Sequence, residues 1–148
     1  MTEDDFFKLI EIEGDEYDWV VTVEVEDIKY ELDCKIMRHD SLKFWCGYIE
    51  IPKRDELYKL HYNDDKFPKL YVHGGVTFTD FIYDKWYIGF DCGHYGDLSI
   101  INLKYINDRM GGVYRNKEFV ISEVKSLAKQ ICDNSTQILR DIKLNKIL

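Results

Sequence analysis

The chain has 148 residues and a mass of 17.7 kDa, the length of one ordinary domain. With 45% hydrophobic and 15% aromatic residues it is too apolar for a disordered tail, and two prolines, Pro52 and Pro68, exclude a Pro-rich adaptor. The net charge of −8 sits at one end: residues 1–27 hold eleven of the 28 acids and one of the 20 bases, whereas the other 17 acids and 19 bases sum to +2, leaving residues 28–148 open to an anionic ligand.

The first 16 residues read as a weak amphipathic start, with Phe6, Phe7, Leu9 and Ile10 among acids. No basic stretch or apolar core of a signal peptide follows Met1, and no apolar run approaches the ~20 residues of a membrane span, so a cytoplasmic protein without membrane contact is expected. Strand signals then dominate. Trp19 to Val25 is rich in β-branched residues, Glu26-Asp27 is a turn, and Ile28, Tyr30, Leu32, Cys34 and Ile36 alternate with charged neighbours in the period of two that marks a half-buried antiparallel strand. A third strand covers about 42–51 and stops before Pro52. Residues 54–61 read as one or two helical turns, with Leu57 and Leu60 on one side.

Two more strands are expected at Leu70 to Phe78 and Phe81 to Phe90, the first interrupted by Gly74-Gly75, and a short one at Leu98 to Leu103. Residues 104–117 read as a loop. Beyond it the period changes to 3.6: Phe119, Val120, Val124, Leu127, Ala128 and Ile131 share one helical face, with Asp133-Asn134-Ser135 placed to end that helix and cap a second. Strands followed by helix give a single α+β domain, with a mainly antiparallel sheet of about five or six strands and a helix starting near residue 118 packed on one face.

Walker A, GxSxG, HExxH and EF-hand patterns are all missing. Cys34, Cys46, Cys92 and Cys132 are widely spaced with no CxxC pair, which favours reduced, packed thiols over a zinc site; no cofactor is expected. The polar residues that stand out lie in two glycine-rich stretches, 72–77 and 89–97. They place His73, Thr77, Asp91, His94 and Asp97 where backbone N–H groups can hold an anion, with Arg109 or Arg115 available to pair with phosphate. Each has a plainer reading as well: packed histidines, turn-capping aspartates and surface arginines. A hairpin turning at Thr79-Asp80 would set His73 opposite Trp86, with the two histidines meeting through a bend at Gly93.

Trp45-Cys46-Gly47-Tyr48, then His73-Gly74-Gly75-Val76-Thr77, then Trp86 and Gly89-Phe90-Asp91-Cys92-Gly93-His94-Tyr95-Gly96-Asp97 together resemble a family of small phage and prophage proteins of unknown function, which carry these stretches in this order. Tyr114-Arg115 and the helix from Glu123 to Ala128 match its usual ending, so the likeness covers about residues 44–131. Asp55-Glu56-Leu57-Tyr58 departs from the family's His-Pro-Leu-Tyr stretch, and the acidic segment 1–27 is extra. The resemblance implies a phage setting, hence the host cell cytoplasm, more firmly than an activity.

Three readings follow. In the first, the chain binds and sequesters a nucleotide-derived host immune signal as counter-defence, using Arg109 or Arg115 for phosphate and abundant aromatic rings for a base. Direct nucleic-acid binding is not expected, and a pocket shared in a homodimer is one form such a protein takes. In the second, His73 and His94 act as general base and general acid of a metal-independent phosphodiesterase. In the third, the acidic segment imitates a nucleic-acid backbone and occupies a basic groove on a host protein.

Overall fold

The computed structural model describes residues 1–105 and 112–147. The chain runs α1 (Glu3–Glu13), β1 (Glu16–Val25), β2 (Ile28–Arg38), β3 (Trp45–Glu50), β4 (Phe78–Ile82), β5 (Lys85–Asp91), α2 (Ile100–Tyr105) and α3 (Lys117–Ile147). The five strands form one antiparallel sheet in the order β1-β2-β3-β5-β4, and α3 packs across β1, β2 and β3. This is the α+β architecture expected from the switch in period.

Local chemistry explains the element ends. Thr2 and Asp5 form a capping box, each side chain accepting from the other's backbone N–H at 3.1 Å, and Glu3, Asp4 and Asp5 place negative charge at the positive end of α1. The β1–β2 hairpin turns through Glu26 and Asp27, both left-handed at φ 51° and 66°, the conformation that a two-residue loop between twisted strands requires. The alternating β2 residues face α3, and their charged neighbours face away.

The core forms where the sheet meets α3. Ile36, Trp45, Ile49, Ile88 and Phe90 pack against Val120, Val124, Leu127, Ala128 and Ile131 with essentially no exposure. Gly47 lets the helix approach: a Cβ there would lie 2.7 Å from a Val124 methyl and 2.6 Å from the Phe90 ring. The long connection 51–77 covers the sheet next to α3. Its Leu57 is buried and its Tyr58 ring meets Phe81 and Trp86 edge-on.

Four local expectations are corrected. First, β4 begins only at Phe78. The chain turns at Tyr83-Asp84, so Phe81 rather than His73 faces Trp86, and Phe78 faces Gly89. Second, residues 70–77 are not a strand, because Gly74 and Gly75 take φ +69° and +81°, outside the extended region. Third, Ile100–Tyr105 is a helix, and the neighbouring extended contact is a single parallel bridge between Asp97 and Val113. Fourth, α3 runs unbroken through Asp133-Asn134-Ser135: Ser135 Oγ donates within the helix to Ile131 O at 3.0 Å and across to Asp55 at 2.8 Å, so it does not cap a new helix.

The acidic segment is part of this fold. It supplies α1 and β1, and Glu13 is drawn inward, where its carboxylate accepts from Arg38 Nη2 at 3.2 Å, from the Lys117 backbone N–H at 2.7 Å and from the Tyr114 hydroxyl. Burial and that bond to Glu13 push the Tyr114 phenol up to about 12.

All four thiols are free and buried. Burial pushes Cys34, Cys46 and Cys132 up to about 12, and Cys92 higher still, from an ordinary value of 9.0. The unfolded chain therefore releases these protons above pH 9 while the folded chain holds them, so stability present below pH 9 falls as pH rises from 9 towards 12. The expected slope is on the order of 1 kcal/mol per thiol per pH unit. Urea midpoints that stay flat between pH 8 and pH 11 would contradict it. Thiol reagents should label native protein slowly at pH 8 and denatured protein at once.

Candidate functional site

Gln130 on α3 builds one side of the site. Its side chain clamps Tyr71, accepting from the Tyr71 N–H and donating to the Tyr71 carbonyl, each at 2.7 Å, and so fixes the chain two residues before His73. The His73 ring then meets Phe119, at the start of α3, edge-on at 5.3 Å. At the other side, β5 ends at Asp91 and the chain turns back through 93–96. That turn is held by Asp97 N–H to the His94 carbonyl at 2.9 Å, and by Asp97 pairing with the strand-like stretch at Val113.

Asp97 is the centre of the cluster. Its carboxylate is 1% exposed and binds His73 Nε2 at 2.8 and 3.0 Å, Arg115 Nε at 3.0 Å and the His94 backbone N–H at 3.1 Å. Its carbonyl accepts from Asn102 Nδ2 at 2.8 Å. With every lone-pair direction engaged, Asp97 positions other groups and does not meet a ligand itself. Arg115 also lies over the Phe119 ring, 4.9 Å from its centre, so one aromatic side chain seats both the arginine and the histidine that bind the Asp97 carboxylate.

A second carboxylate serves the second histidine. Asp91 accepts from Thr77 Oγ1 at 3.0 Å and from the Gly93 N–H at 2.9 Å, and its Oδ1 lies 3.3 Å from His94 Nε2. That last contact has ion-pair distance without hydrogen-bond alignment, and the His94 Nε2 atom is buried with no aligned partner. Gly74 makes room for it: a Cβ on residue 74 would lie 2.2 Å from the His94 ring. The two imidazole rings stand 6.0 Å apart at 72°.

Six of the seven candidate residues are thus neighbours: His73, Asp97 and Arg115 in one group, Thr77, Asp91 and His94 in the other, joined at the two rings. Arg109 lies outside the described residues. The backbone donors expected to cradle an anion are partly engaged already, Gly75 N–H by the Val72 carbonyl at 2.8 Å and Gly93 N–H by Asp91. The open polar atoms are on side chains instead. Among the described residues, no group hydrogen-bonds the two Nη groups of Arg115 or the Nδ1 atom of either histidine. Cys92 is 1% exposed with its thiol pushed up by burial, so it does not serve His94 as a nucleophile.

Sequence reading missed Gln130, Asn102 and the Phe119 seat. Phe119 carries the signal of a helix core position, and Gln130 and Asn102 carry none, since each acts through a backbone group, for Gln130 one 59 residues away. Among the described residues, no group of three or more His, Cys, Asp or Glu side chains is arranged to hold a metal ion, and no helix is long and apolar enough to cross a membrane. A groove of about 420 Å³ between β2, residues 52–56 and the C-terminal half of α3 is lined by none of these six residues.

Fold and cluster define an α+β protein with two histidines, each beside a carboxylate, and one arginine. Comparison with protein-family models, with curated proteins and with solved structures finds no match to this chain.

Proposed function

We propose that this cluster binds a phosphate-bearing, nucleotide-type small molecule and, in the phage setting implied by the motif resemblance, sequesters a host immune signal. The observation that carries the reading is Arg115: one edge is fixed by buried Asp97 and its face rests on Phe119, while among the described residues nothing hydrogen-bonds its two Nη groups. A guanidinium anchored in this way is pre-organised for a phosphate, because its orientation is set before the ligand arrives. The near-neutral charge of residues 28–148 lets an anion approach, and retention needs no nucleophile.

The test is incubation with a panel of cyclic nucleotides and ADP-ribose derivatives, removal of free ligand, heating, and identification of what is released. The expected result is an intact member of the panel retained by the native protein, with Arg115→Gln weakening retention by about tenfold or more, the worth of a charged hydrogen bond. No member retained would overturn the reading. Equal retention by the Arg115→Gln variant would remove Arg115 from it.

A further inference from the structure

The open nitrogens of the two histidines are unexplained by retention alone. His73 Nε2 faces the Asp97 carboxylate, which fixes the tautomer with the proton on Nε2 and the lone pair on Nδ1. In its protonated form, with Nε2 3.3 Å from the Asp91 carboxylate, His94 offers Nδ1–H as a donor. One acceptor and one donor therefore stand on rings 6.0 Å apart, with Arg115 adjacent. The cluster offers no strong side-chain nucleophile: Cys92 is buried, and the Thr77 hydroxyl is bound to a carboxylate, a far weaker base than imidazole. Catalysis at such a site asks least of the protein when the substrate brings its own nucleophile, since an attacking hydroxyl already next to phosphorus needs only proton transfer.

We infer that the site cleaves phosphodiesters that carry a free hydroxyl on the carbon next to the phosphorylated oxygen, as a 3′-linked ribonucleotide does, and holds intact those that lack it. This rests on the phosphate-binding reading above. His73 Nδ1 takes the hydroxyl proton, and the freed oxygen forms a bond to phosphorus. The bond from phosphorus to the leaving oxygen breaks, and that oxygen takes the proton from His94 Nδ1. The products are a cyclic 2′,3′-phosphate and an alcohol. No water is consumed, and solvent exchange returns the two imidazoles to their starting states. Arg115 pairs with the non-bridging oxygens, where charge builds up.

The experiment uses the full chain and matched probes: ribo dinucleoside monophosphates and cyclic 3′,5′-ribodinucleotides, each beside its 2′-deoxy counterpart. Retention is measured after removal of free ligand, and products are identified by mass. Ribo probes converted to cyclic 2′,3′-phosphates with deoxy probes retained unchanged is the expected result, and His73→Gln should lower conversion at least a hundredfold. Ribo and deoxy probes both retained intact would overturn cleavage and leave the binding reading standing. Both cleaved, or a linear phosphate as first product, would overturn the neighbouring-hydroxyl requirement by showing that water attacks. Neither retained nor changed would overturn both readings for this ligand class.

Discussion

Replacing Arg38 with Ala should destabilise the fold by about 3–5 kcal/mol, the cost of leaving a buried ionic partner uncompensated. Arg38 is 7% exposed, at the inward-facing end of half-buried β2. All three of its guanidinium nitrogens donate: Nε to the Gly14 carbonyl at 2.9 Å, Nη1 to the Lys43 carbonyl at 2.9 Å, and Nη2 to Glu13 at 3.2 Å and the Tyr114 hydroxyl at 3.0 Å. Its guanidinium also stacks on Trp45, 4.2 Å from the ring centre. The change removes the only cation hydrogen-bonded to the Glu13 side chain among the described residues, together with the ties that hold the end of α1 and the approach to α3 against the sheet. For a chain of this length the thermal midpoint should fall on the order of 10 °C. Arg38→Ala combined with Glu13→Gln should recover part of the loss, because the orphaned charge is what dominates. A loss below about 1 kcal/mol, or a double variant no better than the single one, would show that the pair is an ordinary surface contact.

Arg38 also marks where sequence reading stops. The alternation Ile28, Tyr30, Leu32, Cys34, Ile36 is a local property and marks the strand correctly, and the next inward position is 38; but nothing near residue 38 announces that Glu13, Lys43 and Tyr114 will surround an arginine there. The onset of α3 is legible because a continuous apolar face begins at Phe119 and Val120. Its continuation through Asp133-Asn134-Ser135 is not, since those residues favour caps in isolation and are overridden here by burial of Thr136, whose hydroxyl bonds that of Tyr30 at 2.8 Å. The β4–β5 register failed for a related reason: Thr79-Asp80 looks like a turn, whereas Tyr83 at φ 57° makes one with no glycine to signal it.

The candidate cluster was legible in its members and not in its geometry. His73, Thr77, Asp91, His94 and Asp97 stand out as polar residues among glycines, which is a composition signal. Their division into two histidine–carboxylate pairs depends on left-handed Gly74 and on the turn at 93–96, which bring together chain segments that no ladder aligns. Gly74 has a specific reason to be glycine beyond its φ, because the His94 ring occupies the space a side chain would need.

Asp97→Asn should abolish function while leaving a folded protein. The amide has the carboxylate's shape, but only one of its two atoms accepts. Four hydrogen bonds now converge on the Asp97 oxygens, from His73 Nε2 to both, from Arg115 Nε to Oδ1 and from the His94 N–H to Oδ2. Whichever way the amide turns, its NH₂ group faces either the Arg115 or the His94 donor, and one buried donor loses its partner at a cost of about 1–3 kcal/mol. Arg115 also loses the charge that fixes its orientation, so retention of a phosphate ligand should fall by about tenfold or more. His73 can still bond to the amide NH₂ only by accepting through Nε2, which moves its proton to Nδ1 and turns the open acceptor into a donor. Any cleavage that uses His73 as base should then fall on the order of a thousandfold, beyond the loss of retention. Two measurements separate positioning from mere loss of structure: unfolding in urea, which should show a cooperative transition lowered by about 2 kcal/mol, and ¹⁵N shifts of the His73 ring, which should show the proton moved from Nε2 to Nδ1. An Asp97→Asn variant with an unchanged His73 tautomer and full ligand retention would mean that Asp97 braces the turn and has no part in the site.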